Sequence, residues 1–385
     1  MGSKNNRQAY FNTLTRVSKK VDDVLREFWK NDKYGEAKLI MYEPFLKKKW
    51  GAQKLRPILT WLSYCALTDT HPNEDIPKDI AKLAAATDLE LYAEYTANWN
   101  FDNKGEVRTN PLNRQKAAVA SKSFLEDAVR MVSQVDEKYV PIILDTSSEV
   151  TNSWAKELEL NMSNPEWETM PLQRYMKAYI EDFCIPGIGK TLSPASDLTA
   201  LYTDKTNTTQ ARQLHNALLN YGVELEILND LGDFCMEEVS NDKRASDQFS
   251  DVKNGVLTPP IWLMYNTANE QQREIIRNCV RPDELTKQEE KELVNILFET
   301  GTYNTVSKGL KSAGRKLQKE IKRIGFENEA AKQLRLAASV FESSKIYHIL
   351  KKSYKAASGQ NTSSTENNKH HDEYMQIIRG RYSGA

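Results

Sequence analysis

The chain has no apolar run approaching the roughly 20 residues needed to cross a bilayer. It also lacks the apolar core of a secretory leader, opening instead on the polar stretch MGSKNNRQAY. Asn6 stands where a myristoylation signal takes Ser or Thr. Neither sign of charge is in excess. Lys and Arg total 53 and Asp and Glu total 53 over 385 residues, so no overall field draws in nucleic acid or an anionic membrane. Paired cysteines are missing as well. Cys65, Cys184, Cys235 and Cys279 are scattered without a CxxC spacing, which argues against structural zinc and suits a reducing cytosol. Alternating strand-like runs are rare, VPIILD at 140–145 being the best candidate, and no internal repeat is evident. These absences leave a cytoplasmic helical protein with no nucleic-acid partner and no transmembrane segment.

What is present is helical periodicity. Apolar residues recur at intervals of three and four over 11–30, 55–67, 78–100, 115–135, 147–161, 171–184, 208–238 and 331–355. Breakers separate these segments: HPNEDIPKD at 71–79, IPGIGKTLSP at 185–194 and NGVLTPP at 254–260. The expected organisation is one all-α domain over 1–356, then a polar tail over 357–385. The tail opens on the low-complexity run SGQNTSSTENNKHH, expected to be a disordered linker, and DEYMQIIRGRYSGA behind it is either a short docking segment or a loose tail.

One stretch, EILNDLGDFCMEE at 226–238, sets oxygen-bearing side chains among apolar ones. Asn229, Asp233 and Glu237 are spaced by four, which on a helix makes a single stripe with Asp230 at its edge. On spacing alone this is either a solvated face or a hard-cation site projecting into a cavity.

The surrounding segments bear on that choice. Lys54-Leu55-Arg56-Pro57, in WGAQKLRPILT, resembles the GGKRLRP segment of trans-prenyl diphosphate synthases. AAATDLELYAEYTANWNFD at 84–102 resembles that family's first long cavity helix, which ends on DDxxD. Its DDxxD positions fall on Asn98, Trp99 and Asp102, and the following RRGxP falls on Val107 to Pro111, with Arg108 retained. Lys190-Thr191 corresponds to the family's KT pair, NYGVELEILNDLGD to its second acidic helix, and SDVKNGVLTPP at 250–260 to its SDLREGKRTLP segment. Five segments occur in the family's order over most of 45–265.

The resemblance implies an isoprenoid synthase-type helical bundle around a deep central cavity. It implies an allylic prenyl diphosphate as substrate, held by Mg²⁺ between two acidic helices. Asn98, Asp102, Asn229, Asp233 and Glu237 would be the metal ligands, with Asp230 beside them in the catalytic set. Arg56, Trp99, Arg108, Lys190 and Thr191 would contact the substrate. Lys243 and Arg244 would either reach the diphosphate or lie in a solvated loop. A homodimer, or a heteromer with an active prenyl synthase, is the implied assembly.

Departures from the family pattern direct the choice of reaction. Gln53, Leu91, Val107 and Val256 replace the family's Lys, His, Arg and Lys, which weakens the case for binding two diphosphates at once. The second motif, Asn229-Asp230 followed by Asp233 and Glu237, also resembles the NDxxSxxxE of terpene cyclases except for Asp at the Ser position. A class I terpene synthase is therefore the expected activity: Mg²⁺-dependent ionisation with pyrophosphate release and cyclisation. A catalytically degenerate subunit and a chain-elongating synthase are the alternatives.

Other residues carry competing readings. Tyr92, Tyr95 and Trp99 either face a carbocation or pack in a core. Glu94, costly in an apolar cavity unless paired or protonated, is expected in solvent or between helices. His215 is expected as a surface or packing residue.

Overall fold

The computed structural model describes residues 2–30, 32–39, 54–101, 111–236, 248–280, 285–358 and 369–380. Helices account for nearly all of their regular structure, and among the described residues the sole β feature is an isolated bridge pairing Asn161 with Val256. No described helix is long and apolar enough to cross a membrane. The chain divides into two compact units. One comprises Met1–Thr151, Ile188–Gly222 and Leu317–Ala338; the other comprises Asn152–Gly187, Val223–Lys316 and Ser339–Ala385.

The first unit is organised around the Lys78–Phe101 helix. Ile80, Leu83, Ala84, Ala85, Ala86, Leu89, Tyr92 and Ala93 are buried along it, so no side of its central turns faces water. A helix apolar all round must be surrounded. Gly2–Lys30, Leu55–Thr68, Pro111–Ser133 and Pro194–Tyr202 all pack against it. The Gly2–Lys30 helix buries Thr13, Val17, Val21, Leu25 and Trp29, a stripe of four-residue steps. Its last member anchors by a hydrogen bond from Trp29 Nε1 to Asp127 Oδ2 (2.7 Å), and Lys38 Nζ pairs with the other oxygen of Asp127 at 2.9 Å.

One glycine is required here. A Cβ on Gly222 would lie 2.6 Å from both the Gly189 Cα and the Ile188 carbonyl oxygen. The two backbones therefore approach closely just before Lys190-Thr191.

The second unit builds its core from stacked rings. Phe298 lies 4.3 Å from both the Tyr303 and Tyr354 rings, nearly parallel to each, and Tyr175 stacks on Trp262 at 5.4 Å. Two of its helices start on full capping boxes, Asn269 with Gln272 and Thr286 with Glu289.

Three expectations need correction. VPIILD is not a strand; it opens the Val140–Glu157 helix, because Pro141 sits in the first turn, where its missing N–H costs nothing. The stretch over 171–184 does not stop at its glycines. A helix over Leu172–Lys177 widens into a π-type run over Ala178–Gly189 that encloses Pro186 and bends at Gly187. At the tail's end the docking segment, not the loose tail, is what the structure holds. The Lys345–Ser358 helix extends into it, and Lys369–Gly380 forms a further helix that buries Tyr374 and Ile378 against Leu172–Lys177 and Pro259–Thr267. Two apolar residues one turn apart are enough to fix a short helix to an existing surface.

Candidate functional site

In the first unit, two segments 135 residues apart meet. Arg56 is 4% exposed; its Nε donates to the Thr191 carbonyl oxygen at 3.0 Å and its guanidinium also donates to Thr191 Oγ1. Thr191 Oγ1 in turn donates to the Ile188 carbonyl at 2.9 Å. A buried guanidinium without acceptors would be costly, so Arg56 and Thr191 fix each other's place. Next in the chain, Lys190 Nζ pairs with Glu149 at 3.3 Å. Lys54, the residue before the helix, bridges Asp22 at 3.0 Å and the fully buried Asp88.

The Lys78–Phe101 helix carries an unexpected polar line. Glu90, Glu94 and Asn98 are four residues apart and so share one face. Glu90 is 1% and Glu94 8% exposed. Both carboxyl oxygens of Glu90, Oε1 of Glu94 and Oδ1 of Asn98 are buried without a hydrogen-bond donor outside the line. Burial pushes the Glu90 carboxyl up from its ordinary range, against the pull of Arg56. Burial and the neighbouring Glu90 charge hold Glu94 well above that range. The two carboxyls are coupled, and their burial disfavours ionising both at once. Of the two positions expected for Glu94, solvent and an inter-helix site, the structure takes the second. Tyr92 packs in the core against Phe124 at 6.1 Å. Asp102, Arg108 and the Trp99 side chain lie outside the described residues.

In the second unit, the Thr209–Gly232 helix ends within the expected stripe. Asp233 N still donates to the Asn229 carbonyl oxygen at 3.0 Å, so the two keep helical spacing through the last turn, but their side chains take different tasks. Asn229 is exposed. Asp233 instead closes the start of the Ser250–Asn254 helix, accepting from Ser250 N (3.1 Å), Ser250 Oγ (3.3 Å) and Asp251 N (3.2 Å). A carboxylate facing free N–H groups at a helix start is a capping arrangement. Asp230, 3% exposed, accepts a hydrogen bond from the Tyr179 hydroxyl. Burial first, then the Glu226 and Asp251 charges, raise its carboxyl well above the ordinary range. Glu237, Lys243 and Arg244 lie outside the described residues.

Among the described residues, no group of three or more His, Cys, Asp or Glu is disposed to hold a metal ion. Of the expected ligands, Asn229 offers an uncharged amide and the Asp233 carboxylate caps a helix, while Asp102 and Glu237, which would supply the remaining charge, lie outside the described residues.

Sequence reasoning missed two partnerships. Glu90 with Glu94 was hidden because acids at helical spacing normally mark solvent. Tyr179 with Asp230 had one signal, a tyrosine within the apolar run YIEDFCI that would need an acceptor if buried. His215 Nδ1 lies 2.7 Å from Asp197 Oδ1, half-buried, in a packing role.

No family model matches the chain, and no curated protein matches it in sequence. Solved structures do match in fold. A decaprenyl diphosphate synthase from Rhodobacter capsulatus aligns with a TM-score of 0.68 at 14% identity, over 87% of this chain and 98% of its own. A polyprenyl synthase from Caulobacter crescentus, complexed with calcium and isoprenyl diphosphate, aligns at 0.68 and 13% identity over 88% and 97%. A geranylgeranyl pyrophosphate synthetase from Pyrococcus horikoshii aligns at 0.64 and 16% over 87% and 99%. The chain has the all-α isoprenoid synthase fold.

Proposed function

We propose that the protein binds an allylic prenyl diphosphate and extends it with isopentenyl diphosphate, as a divergent chain-elongating prenyl synthase. The observation that carries this reading is the Arg56–Thr191 pairing. It joins the Leu55-Arg56-Pro57 and Lys190-Thr191 segments, both chosen from sequence as substrate-contacting, within one unit. The similar structures are a decaprenyl diphosphate synthase, a polyprenyl synthase and a geranylgeranyl pyrophosphate synthetase, which supports elongation over cyclisation. The argument for a cyclase rested on Asn229, Asp233 and Glu237 acting as one set of ligands, and the Asp233 carboxylate is drawn into capping the Ser250–Asn254 helix, which weakens that support. Arg56 and Lys190 would then present positive charge to a diphosphate, a preformed neighbourhood for an anion.

One observation favours a second reading, a non-catalytic subunit that partners an active synthase. Arg56 and Lys190 are already engaged by Thr191 and Glu149, and the described residues assemble no metal site.

A single assay separates these readings. Purified protein is incubated with labelled isopentenyl diphosphate and geranyl, farnesyl or geranylgeranyl diphosphate, in Mg²⁺ and in EDTA. Label entering a longer diphosphate only in Mg²⁺ is the expected result. Pyrophosphate release without isopentenyl diphosphate would restore the terpene synthase. Binding of the allylic diphosphate with no turnover would favour the subunit.

A further inference from the structure

The zero net charge of the chain hides a segregation. Residues 302–316, within the Thr302–Arg323 helix, carry four Lys and Arg, and the Lys345–Ser358 helix carries four Lys; neither stretch has an Asp or Glu. Both lie in the second unit and adjoin there. The Tyr303 hydroxyl donates to the Tyr347 carbonyl oxygen at 3.2 Å, and Lys311 Nζ stands 4.7 Å from the centre of the Tyr347 ring.

Spacing gathers these cations on outward faces. Lys308, Lys311 and Arg315 follow one another at three and four residues, so they share a face. On the second helix Lys351 and Lys352 lie one turn before Lys355, and Lys345 lies seven residues before Lys352. All seven are exposed except Lys311, which is half-buried. Like charges at these spacings repel and cost a helix stability. Other exposed helices of the chain avoid that cost: Lys122 pairs with Glu126, Lys156 with Glu159 and Lys177 with Glu181. Among the described residues, no carboxylate pairs with any of the seven. A merely solvated face would interleave acids as those helices do.

The kind of charge narrows the partner. Six of the seven are Lys, hydrated point charges on flexible stems, whereas bidentate recognition of individual phosphates or carboxylates favours Arg. No ring of these two stretches is exposed for a base to stack on, Tyr303, Tyr347 and Tyr354 all being buried. A surface of diffuse negative charge fits best, and an anionic bilayer attracts polybasic helices in this way.

We propose that the outward faces of residues 302–316 and of the Lys345–Ser358 helix dock the protein on an anionic lipid membrane as a peripheral protein. A bilayer also suits the proposed product, whose lengthened hydrocarbon leaves water for it, but docking by these helices does not depend on that chemistry.

The test floats the full chain with vesicles of phosphatidylcholine, alone or mixed with phosphatidylserine. Binding to the mixed vesicles only is expected, and it should fall away as salt approaches about 1 M, where screening shortens to about 3 Å. Each lysine near the surface contributes about fivefold, so Lys351→Gln/Lys352→Gln/Lys355→Gln should weaken binding about 100-fold. Lys122→Gln/Lys156→Gln/Lys177→Gln removes the same charge from lysines paired with glutamates and should leave binding nearly unchanged. All six positions are exposed, so both variants should fold, which circular dichroism verifies. Vesicle binding that is absent, that ignores phosphatidylserine, or that the two variants weaken equally would overturn the inference. So would tighter binding to a DNA duplex or to polyglutamate than to the mixed vesicles at equal salt, which would assign the face to nucleic acid or to an acidic protein.

Discussion

Replacing Glu94 by Gln should stabilise the protein above neutral pH and leave it nearly unchanged in acid. In the folded chain Glu90 and Glu94 both have raised carboxyl pKa values, against an ordinary 4.5. A raised folded value means that the folded state holds protons the unfolded chain has released. The stabilisation is therefore complete below pH 4.5 and is lost as pH rises through the raised folded values. Each proton taken up on folding gives a slope of about 1.4 kcal/mol per pH unit. Glutamine keeps the shape, has no proton to lose and can donate its amide to the Glu90 carboxylate. At pH 8 the gain should be about 1–3 kcal/mol, the size of satisfying one buried acceptor. Urea unfolding of wild type and Glu94→Gln between pH 5 and 8 measures it. Asp230 titrates with the same sign but is common to both proteins, so it cancels in the difference. Parallel stability profiles, or a less stable variant at pH 8, would refute the raised, coupled carboxyl pair.

Three further outcomes follow from the packing. Gly222→Ala places a methyl 2.6 Å from the Gly189 backbone and should cost about 1–3 kcal/mol or more in denaturant unfolding, with weaker diphosphate binding as the Lys190-Thr191 segment shifts. Tyr179→Phe removes the hydrogen bond to buried Asp230 and should cost about 1–3 kcal/mol, read as a lower urea midpoint. Tyr374→Ala empties a fully buried site and should cost about 3–5 kcal/mol, with faster amide exchange in Lys369–Gly380 and in the helix it covers, Pro259–Thr267.

The parts of the fold legible in the sequence were those where periodicity and chemistry agreed. The long helices around Lys78–Phe101 show their apolar stripes directly, and the Leu55-Arg56-Pro57 and Lys190-Thr191 segments, both visible as motifs, meet through Arg56 and Thr191. The end of the second acidic helix was not legible. Phe234, Cys235 and Met236 are consecutive and all buried, so the turn after Gly232 presents the apolar content of another helical turn. The stop signal was Gly232 itself, weakened by the apolar residues behind it. For Glu94 the spacing left solvent and an inter-helix position open, because burial of acids depends on neighbours far along the chain, which spacing does not encode. The Lys369–Gly380 helix was masked by the polar run before it, whose composition outweighed one tyrosine and two isoleucines.

The first unit's division along the chain bears on how the protein is made. Leu55–Thr68 packs against Glu329–Ala338, so part of its cover is translated about 270 residues later. At about 5–20 residues per second, that apolar surface waits some 15–50 s on the ribosome before its last helix arrives. A nascent chain whose Leu55–Thr68 helix lacks this cover, with the Cys65 and Ala66 carbonyls still without Asn328, is a natural client for a chaperone. Slowing translation beyond residue 222 should lower the yield of folded protein more than slowing it near the start.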